Sequence, residues 1–158
     1  MGSGKTTVMG EASDVLREMS IPHAAIDLDA VCVNLFPDST TKDIDLRNAA
    51  ALYTNCVAAG VDKILIAAAI ESAQSLDDLT GAFSGAPVIV CRLTASHETM
   101  AARLRVREPG KRQAEFVERS RTLEQRLTAA ALEHFRVSND GRDITAVARE
   151  VLERAGWM

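Results

Sequence analysis

The chain has 158 residues, 47% of them hydrophobic and 25% charged, the balance of an ordinary globular domain with a real core. Its net charge of −4 and pI near 5.4 argue against the whole chain being a nucleic-acid binder. No apolar run approaches a membrane span and no basic-then-apolar leader is visible, so a cytoplasmic protein is expected.

The chain opens Met1-Gly2-Ser3-Gly4-Lys5-Thr6-Thr7. Val8, Ala12, Val15, Leu16 and Met19 then recur at helical spacing, which predicts a helix over residues 5–19 that starts inside the glycine-rich segment. Ile21-Pro22 ends it. His23 to Leu28 is a short apolar run stopping at carboxylates and reads as a strand. Residues 30–43 read as irregular, with a turn at Pro37-Asp38-Ser39. Residues 44–59 suit a helix ended by Gly60.

Lys63 to Ile70 is a continuous apolar run, as expected of a strand buried on both faces. A short helix or turn follows over 76–83, and Pro87 to Leu93 reads as another buried strand. Helices are predicted over 96–107 and 113–134, separated by Pro109-Gly110. Phe135 to Ser138 reads as a last strand, and 144–155 as a closing helix with Asp143 as its N-cap. Strands alternate with helices throughout, which argues for an α/β fold with a parallel sheet covered on both faces. No repeat or linker divides the chain, so one domain over 1–158 is expected.

Cys32, Cys56 and Cys91 are odd in number, far apart and without a C-x-x-C pair, and read as reduced, mostly buried thiols. The charge is uneven. Residues 92–126 hold nine Lys and Arg against five acids, so this segment is +4 and the remainder −8. It reads either as a solvated helical face or as a local anion site.

Gly2 to Thr7 match the last part of a phosphate-binding loop, G-x-x-x-x-G-K-[ST], the Walker A pattern. Glycines there let successive backbone N–H groups form an anion nest, and the following helix adds its positive end. The lysine reaches the β- and γ-phosphates and the hydroxyl ligates Mg²⁺. The nucleotide-binding residues are then Gly2, Ser3, Gly4, Lys5, Thr6 and Thr7. A Gly-Ser linker before an ordinary helix is the competing reading; Lys-Thr-Thr at the correct spacing, leading into a helix and then a strand ending in acids, favours the loop. Counting back, the first glycine would fall two positions before Met1, and the strand that should feed the loop is missing as well. A start upstream of Met1 is the favoured expectation.

Gly-Ser-Gly-Lys-Thr-Thr at 2–7, Asp-Leu-Asp at 27–29, Arg-Leu-Arg-Val-Arg at 103–107 and Asp-Gly-Arg at 140–142 together resemble the P-loop small-molecule kinases. The resemblance is to adenylylsulfate-kinase-like and gluconate- or shikimate-kinase-like bacterial proteins, and it covers nearly the whole chain. It implies a three-layer α/β/α P-loop NTPase fold with a five-stranded parallel sheet whose first strand is absent here. It implies ATP and Mg²⁺ as cofactors, and Asp27 and Asp29 as the acidic pair supporting metal and acceptor hydroxyl. Two carboxylates one residue apart on extended chain lie on one side, at the end of the strands where α/β ligands bind. Asp29 is the better general base and Asp27, with Thr6, the metal side. A turn or capping pair is the bland alternative.

Arg103 and Arg107 resemble the lid arginines of such kinases, in a lid segment over about 103–126 with Pro109-Gly110 as a hinge. Guanidinium groups closing over the transferring phosphoryl lower its barrier; exposed helix arginines are the alternative. Arg142 lies where the resembling kinases place a turn beside adenine, and equally reads as part of a simple turn. Glu71 after Lys63–Ile70 is either a stand-in for a Walker B acid or, together with Ser72, a cap of the next helix. Arg47, on the helix over 44–59, suits an anionic acceptor.

These readings converge on an ATP- and Mg²⁺-dependent kinase acting on a small-molecule hydroxyl, with Lys5, Asp29, Arg103 and Arg107 as its catalytic residues. A polynucleotide 5′-kinase and a regulatory nucleotide-binding module are the alternatives. With aromatics at 4%, base stacking has little support, which disfavours the first.

Overall fold

The computed structural model describes residues 2–31, 44–107, 110 and 113–158. The elements run α1 (Lys5–Glu18), β1 (Ala24–Asp27), α2 (Leu28–Val31), α3 (Ile44–Ala58), β2 (Ile64–Ala67), α4 (Ala73–Ala82), β3 (Cys91–Thr94), α5 (His97–Arg107), α6 (Gln113–Ala130), β4 (Phe135–Ser138) and α7 (Ile144–Arg154). The turn expected at Pro37-Asp38-Ser39, Cys32, and the Pro109 half of the hinge lie outside the described residues.

α1 buries Val8, Ala12, Val15 and Leu16, a stripe of helical period, against Val147, Ala148 and Leu152 of α7. Each fully buried Val or Leu of this set contributes about 1.5–3 kcal/mol. Both helices end so that the next apolar residue folds back onto the same core. The Ile21 N–H reaches the Leu16 carbonyl at 2.9 Å, and the Trp157 N–H reaches the Leu152 carbonyl at 2.9 Å. Asp143 caps α7 as expected, accepting from the Ala146 N–H at 3.0 Å.

Successive strand residues point to opposite faces, and β2 shows this directly. Leu65 packs with the α1–α7 core, while Ile66 packs with Ala49 of α3, Leu79 of α4 and Phe83. Helices therefore cover β2 on both sides. Tyr53 stacks on Phe83 with ring centroids 5.2 Å apart, which makes it a packing residue.

The expected parallel sheet is present as two separate pairs. β1 pairs with β2 in parallel, Ala24 opposite Ile64, and β3 pairs with β4 in parallel, Cys91 opposite Phe135. Among the described residues neither β2 nor β3 has a second partner. The two apolar runs were expected to form longer strands, over 63–70 and 87–93, than the four residues each that are paired. A run forms ladder only where a neighbour supplies hydrogen bonds. The unpaired remainder borders a cavity of about 930 Å³ between the two pairs.

Candidate functional site

Two glycines shape the segment before α1. Gly2 has φ 79° and Gly4 φ 92°, a region that L side chains avoid. Both are also closely approached. A Cβ on Gly2 would lie 2.9 Å from the Met100 carbonyl oxygen, and one on Gly4 would lie 2.4 Å from Nδ2 of Asn139. Gly4 is the N-cap of α1, and no side chain accepts from the first-turn N–H groups there. Those N–H groups and the helix dipole make an anion-binding concavity, and the first turn carries no acidic residue to oppose it. Ser3 is buried, Lys5 half-buried, and Thr6 and Thr7 exposed.

The loop carbonyls are held by side chains from other elements. Asn139 is buried directly after β4, and its Nδ2 donates to the Ser3 carbonyl at 2.9 Å. Arg103 on α5 donates from Nη1 to the Gly2 carbonyl at 3.3 Å and from Nη2 to the Asn139 carbonyl at 2.9 Å. The Asn139 N–H in turn donates to the Thr94 carbonyl at 2.8 Å, tying the clamp to β3. Beside it, hydrogen bonds from Thr99 and Ser96 and the Arg103 charge hold the Asp140 carboxyl below its usual range.

Thr6 Oγ1 donates to Asp27 Oδ2 at 2.7 Å, which brings the two expected metal residues together. The expected pairing of Asp27 with Asp29 needs correction. The chain leaves its strand at Asp27 and turns into α2 at Leu28, so Asp29 is not on extended chain and strand alternation does not align the two carboxylates. Instead the Asp29 N–H donates to Asp27 Oδ1 at 3.0 Å, and its own carboxylate is exposed.

The remaining expected residues divide as follows. Arg103 is tied to loop backbone in this structure, whereas a lid position was expected. Arg107 ends α5 one turn later and is exposed. Arg142 donates to the Ser138 carbonyl at 3.1 Å and pairs with Glu150 at 2.7 Å, contacts that keep it within its own turn and α7. Of the two residues expected to cap the helix after β2, Ser72 is the N-cap of α4, accepting from the Ser75 N–H. Glu71 pairs with Arg126 at 3.0 Å, joining the segment after β2 to α6. Arg47 is exposed on α3.

Sequence reasoning missed two residues. Asn139 carries no signal beyond its place after a strand. Arg92 interrupts the apolar run before it, and that interruption was the available clue. Its guanidinium is buried, bonded to Glu124 and to Thr128 Oγ1 at 2.7 Å, with Glu133 at 3.7 Å. This fastens β3 to α6.

The donor set at the loop suits a hard cation. Thr6 and Asp27 offer a hydroxyl and a carboxylate, and Mg²⁺ binds through one or two such groups with substrate phosphates and waters completing its shell. Among the described residues there is no group of three His, Cys, Asp or Glu side chains able to hold a metal. Among the described residues no helix is long and apolar enough to cross a membrane.

No family model matches the chain, and no curated protein matches it. Among solved structures, the fold is similar to the APS kinase of Mycobacterium tuberculosis, determined in complex with AMPPNP and APS. The TM-score is 0.62 at 17% sequence identity, over 98% of this chain and 92% of that one. The chain shares the fold of that APS kinase.

Proposed function

We propose that the chain is one kinase domain that transfers the γ-phosphoryl group of ATP, with Mg²⁺, to the hydroxyl of a small molecule. One observation carries the reading. A glycine loop with its carbonyls clamped from behind opens onto a helix N-terminus, with the Thr6–Asp27 pair beside it. A solved relative in fold that holds AMPPNP supports a nucleoside triphosphate as the ligand.

In this reading the N–H groups of the loop and of the first turn of α1 bind the β- and γ-phosphates, and Lys5 adds a point charge to them. Thr6 and Asp27 would hold Mg²⁺, which when bound neutralises phosphate charge. Asp29, exposed at the start of α2, accepts the proton of the acceptor hydroxyl. That oxygen forms the new bond to the γ-phosphorus as the bond to the β–γ bridging oxygen breaks and ADP leaves. Arg107 lies on the lid side and stabilises charge on the equatorial oxygens. Arg103 is a positioning residue, acting through the loop it holds. The three-layer arrangement with a strand between β2 and β3 belongs to the same reading. The basic segment suits an anionic acceptor, which Arg47 would meet from α3.

The test is an ADP-release assay with Mg²⁺ and a panel of neutral and anionic hydroxyl compounds. Acceptor-dependent turnover that vanishes in Lys5→Ala supports the reading. Acceptor-independent hydrolysis alone, equal in both proteins, sinks it.

A further inference from the structure

Away from the phosphate loop, a serine and a histidine meet on the flank of α1. Ser13 Oγ lies 2.7 Å from His23 Nε2, and His23 Nδ1 lies 2.8 Å from the Ile21 carbonyl oxygen. A carbonyl oxygen only accepts, so Nδ1 carries a proton. In the neutral imidazole Nε2 is then the bare nitrogen, and the Ser13 hydroxyl donates to it. A hydroxyl is thus paired with a base whose orientation a third group fixes, which is the arrangement that activates a serine.

The chain holds the base from both sides. The Ile21 N–H donates to the Leu16 carbonyl of α1 at 2.9 Å, and the Ala24 N–H donates to the Lys63 carbonyl at 2.9 Å. Between them, the ring of Pro22 fixes its own backbone φ directly before His23. Ser13 and His23 are both half-buried. Helical side chains lean toward the N-terminus, so Ser13 leans over the turn that holds Gly10. Gly10 is exposed, and nothing lies within 4 Å of the place its Cβ would take. A structural tether needs the hydrogen bond alone; a nucleophile also needs this open approach. One turn beyond Ser13, Arg17 is paired with Asp14 at 2.7 Å, so no net positive charge gathers there. That favours a neutral electrophile over an anionic phosphoryl donor.

We propose that Ser13 and His23 form a nucleophilic site, separate from the phosphate loop, that takes an acyl group from a small activated ester. Ser13 Oγ attacks the ester carbonyl carbon, and the Oγ–C bond forms as the C–O bond to the leaving alcohol breaks. The Ser13 proton passes to His23 Nε2 and from there to the leaving oxygen. The products are an O-acyl serine and a free alcohol. Thr6 lies seven residues earlier, about 10 Å along the helix axis, so the two sites share α1 and no residue. The inference rests on the dyad and its approach, not on the kinase reading, so its test contains neither nucleotide nor metal.

The probe is p-nitrophenyl acetate, with acetylation at Ser13 followed by peptide mapping in the full wild-type chain, in Ser13→Ala and in His23→Gln. Glutamine can accept from the Ser13 hydroxyl through Oε1, so it keeps the tether, but it cannot take the proton. The expected result is acetylation of Ser13 about a hundredfold faster in the folded wild type than in the same chain unfolded in urea. The rate should fall about a hundredfold in His23→Gln, and Ser13→Ala should carry no acetyl group in α1. An unchanged rate in a folded His23→Gln shows a tether only and overturns the proposal. So does an acetyl group on α1 of Ser13→Ala, which assigns the reaction to another residue. Equal rates in the folded and unfolded wild type also overturn it, and that comparison needs no variant to fold.

Discussion

Thr6 and Asp27, 21 residues apart in the chain, meet through a hydrogen bond of 2.7 Å from the Thr6 hydroxyl to the Asp27 carboxylate. One lies in the first turn of α1 and the other closes β1, so the contact places a hydroxyl and a carboxylate together beside the glycine loop. If this pair holds Mg²⁺, Asp27→Asn raises the Mg²⁺ concentration needed for half-maximal activity by at least about tenfold. Activity measured against Mg²⁺ at fixed ATP checks this. An unchanged Mg²⁺ dependence would remove Asp27 from the metal side.

Two glycines of neighbouring sequence should respond in opposite directions. Gly4→Ala meets a positive φ and Asn139 Nδ2 at 2.4 Å, and should cost about 1–3 kcal/mol. Gly10→Ala lies in the α1 interior with nothing within 4 Å of its Cβ, and should stabilise by about 0.5–1 kcal/mol. Urea unfolding of both proteins distinguishes a built loop from a linker before an ordinary helix.

The clamp behind the loop has its own signature. Asn139→Ala strands the buried Ser3 carbonyl and should cost about 1–3 kcal/mol. It also removes the atom that a Gly4 side chain would strike. The double variant Gly4→Ala/Asn139→Ala should therefore lose less stability than the two single losses added together. Strict additivity would show that the Gly4–Asn139 approach has no energetic consequence. Arg103→Lys keeps the charge but not the two-carbonyl fork, so its effect should appear as a raised KM for ATP more than a lowered kcat.

The described thiols should differ in reactivity. Burial pushes the Cys91 thiol up to about 12 from its ordinary 9.0. At pH 8 it is a neutral thiol and should resist alkylation in the folded chain. Below pH 9 the group is protonated folded and unfolded alike and favours neither state. Above pH 9 the unfolded chain releases the proton first, so folding stability falls as pH rises toward 12. Peptide mapping after iodoacetamide treatment, with and without urea, checks the first statement, and pH-dependent unfolding of wild type against Cys91→Ala the second.

Much of this arrangement was legible in the sequence because it is local. The α1 stripe Val8–Ala12–Val15–Leu16, the Asp143 cap and the four residues of β4 follow from spacing and short-range chemistry. The tight turn before α1 was legible because Gly2 and Gly4 take a backbone conformation that L side chains avoid. What was not legible depends on distant neighbours. β3 begins at Cys91 rather than at Pro87 because pairing needs a partner, and β4 reaches only that far. Asp29 leaves the strand because the chain coils at Leu28. Arg103 was expected over the phosphates and is found on the loop because Asn139, 36 positions on, offers its carbonyl there.

The central claim is that the loop binds ATP with Mg²⁺. Calorimetric titration of Mg²⁺–ATP into the wild-type chain and into Lys5→Ala tests it most directly. Saturable binding by the wild type, weakened at least about tenfold in Lys5→Ala, is the predicted result, since each tenfold is about 1.4 kcal/mol of phosphate contact. Equal binding by both, or none by a folded wild type, would contradict it.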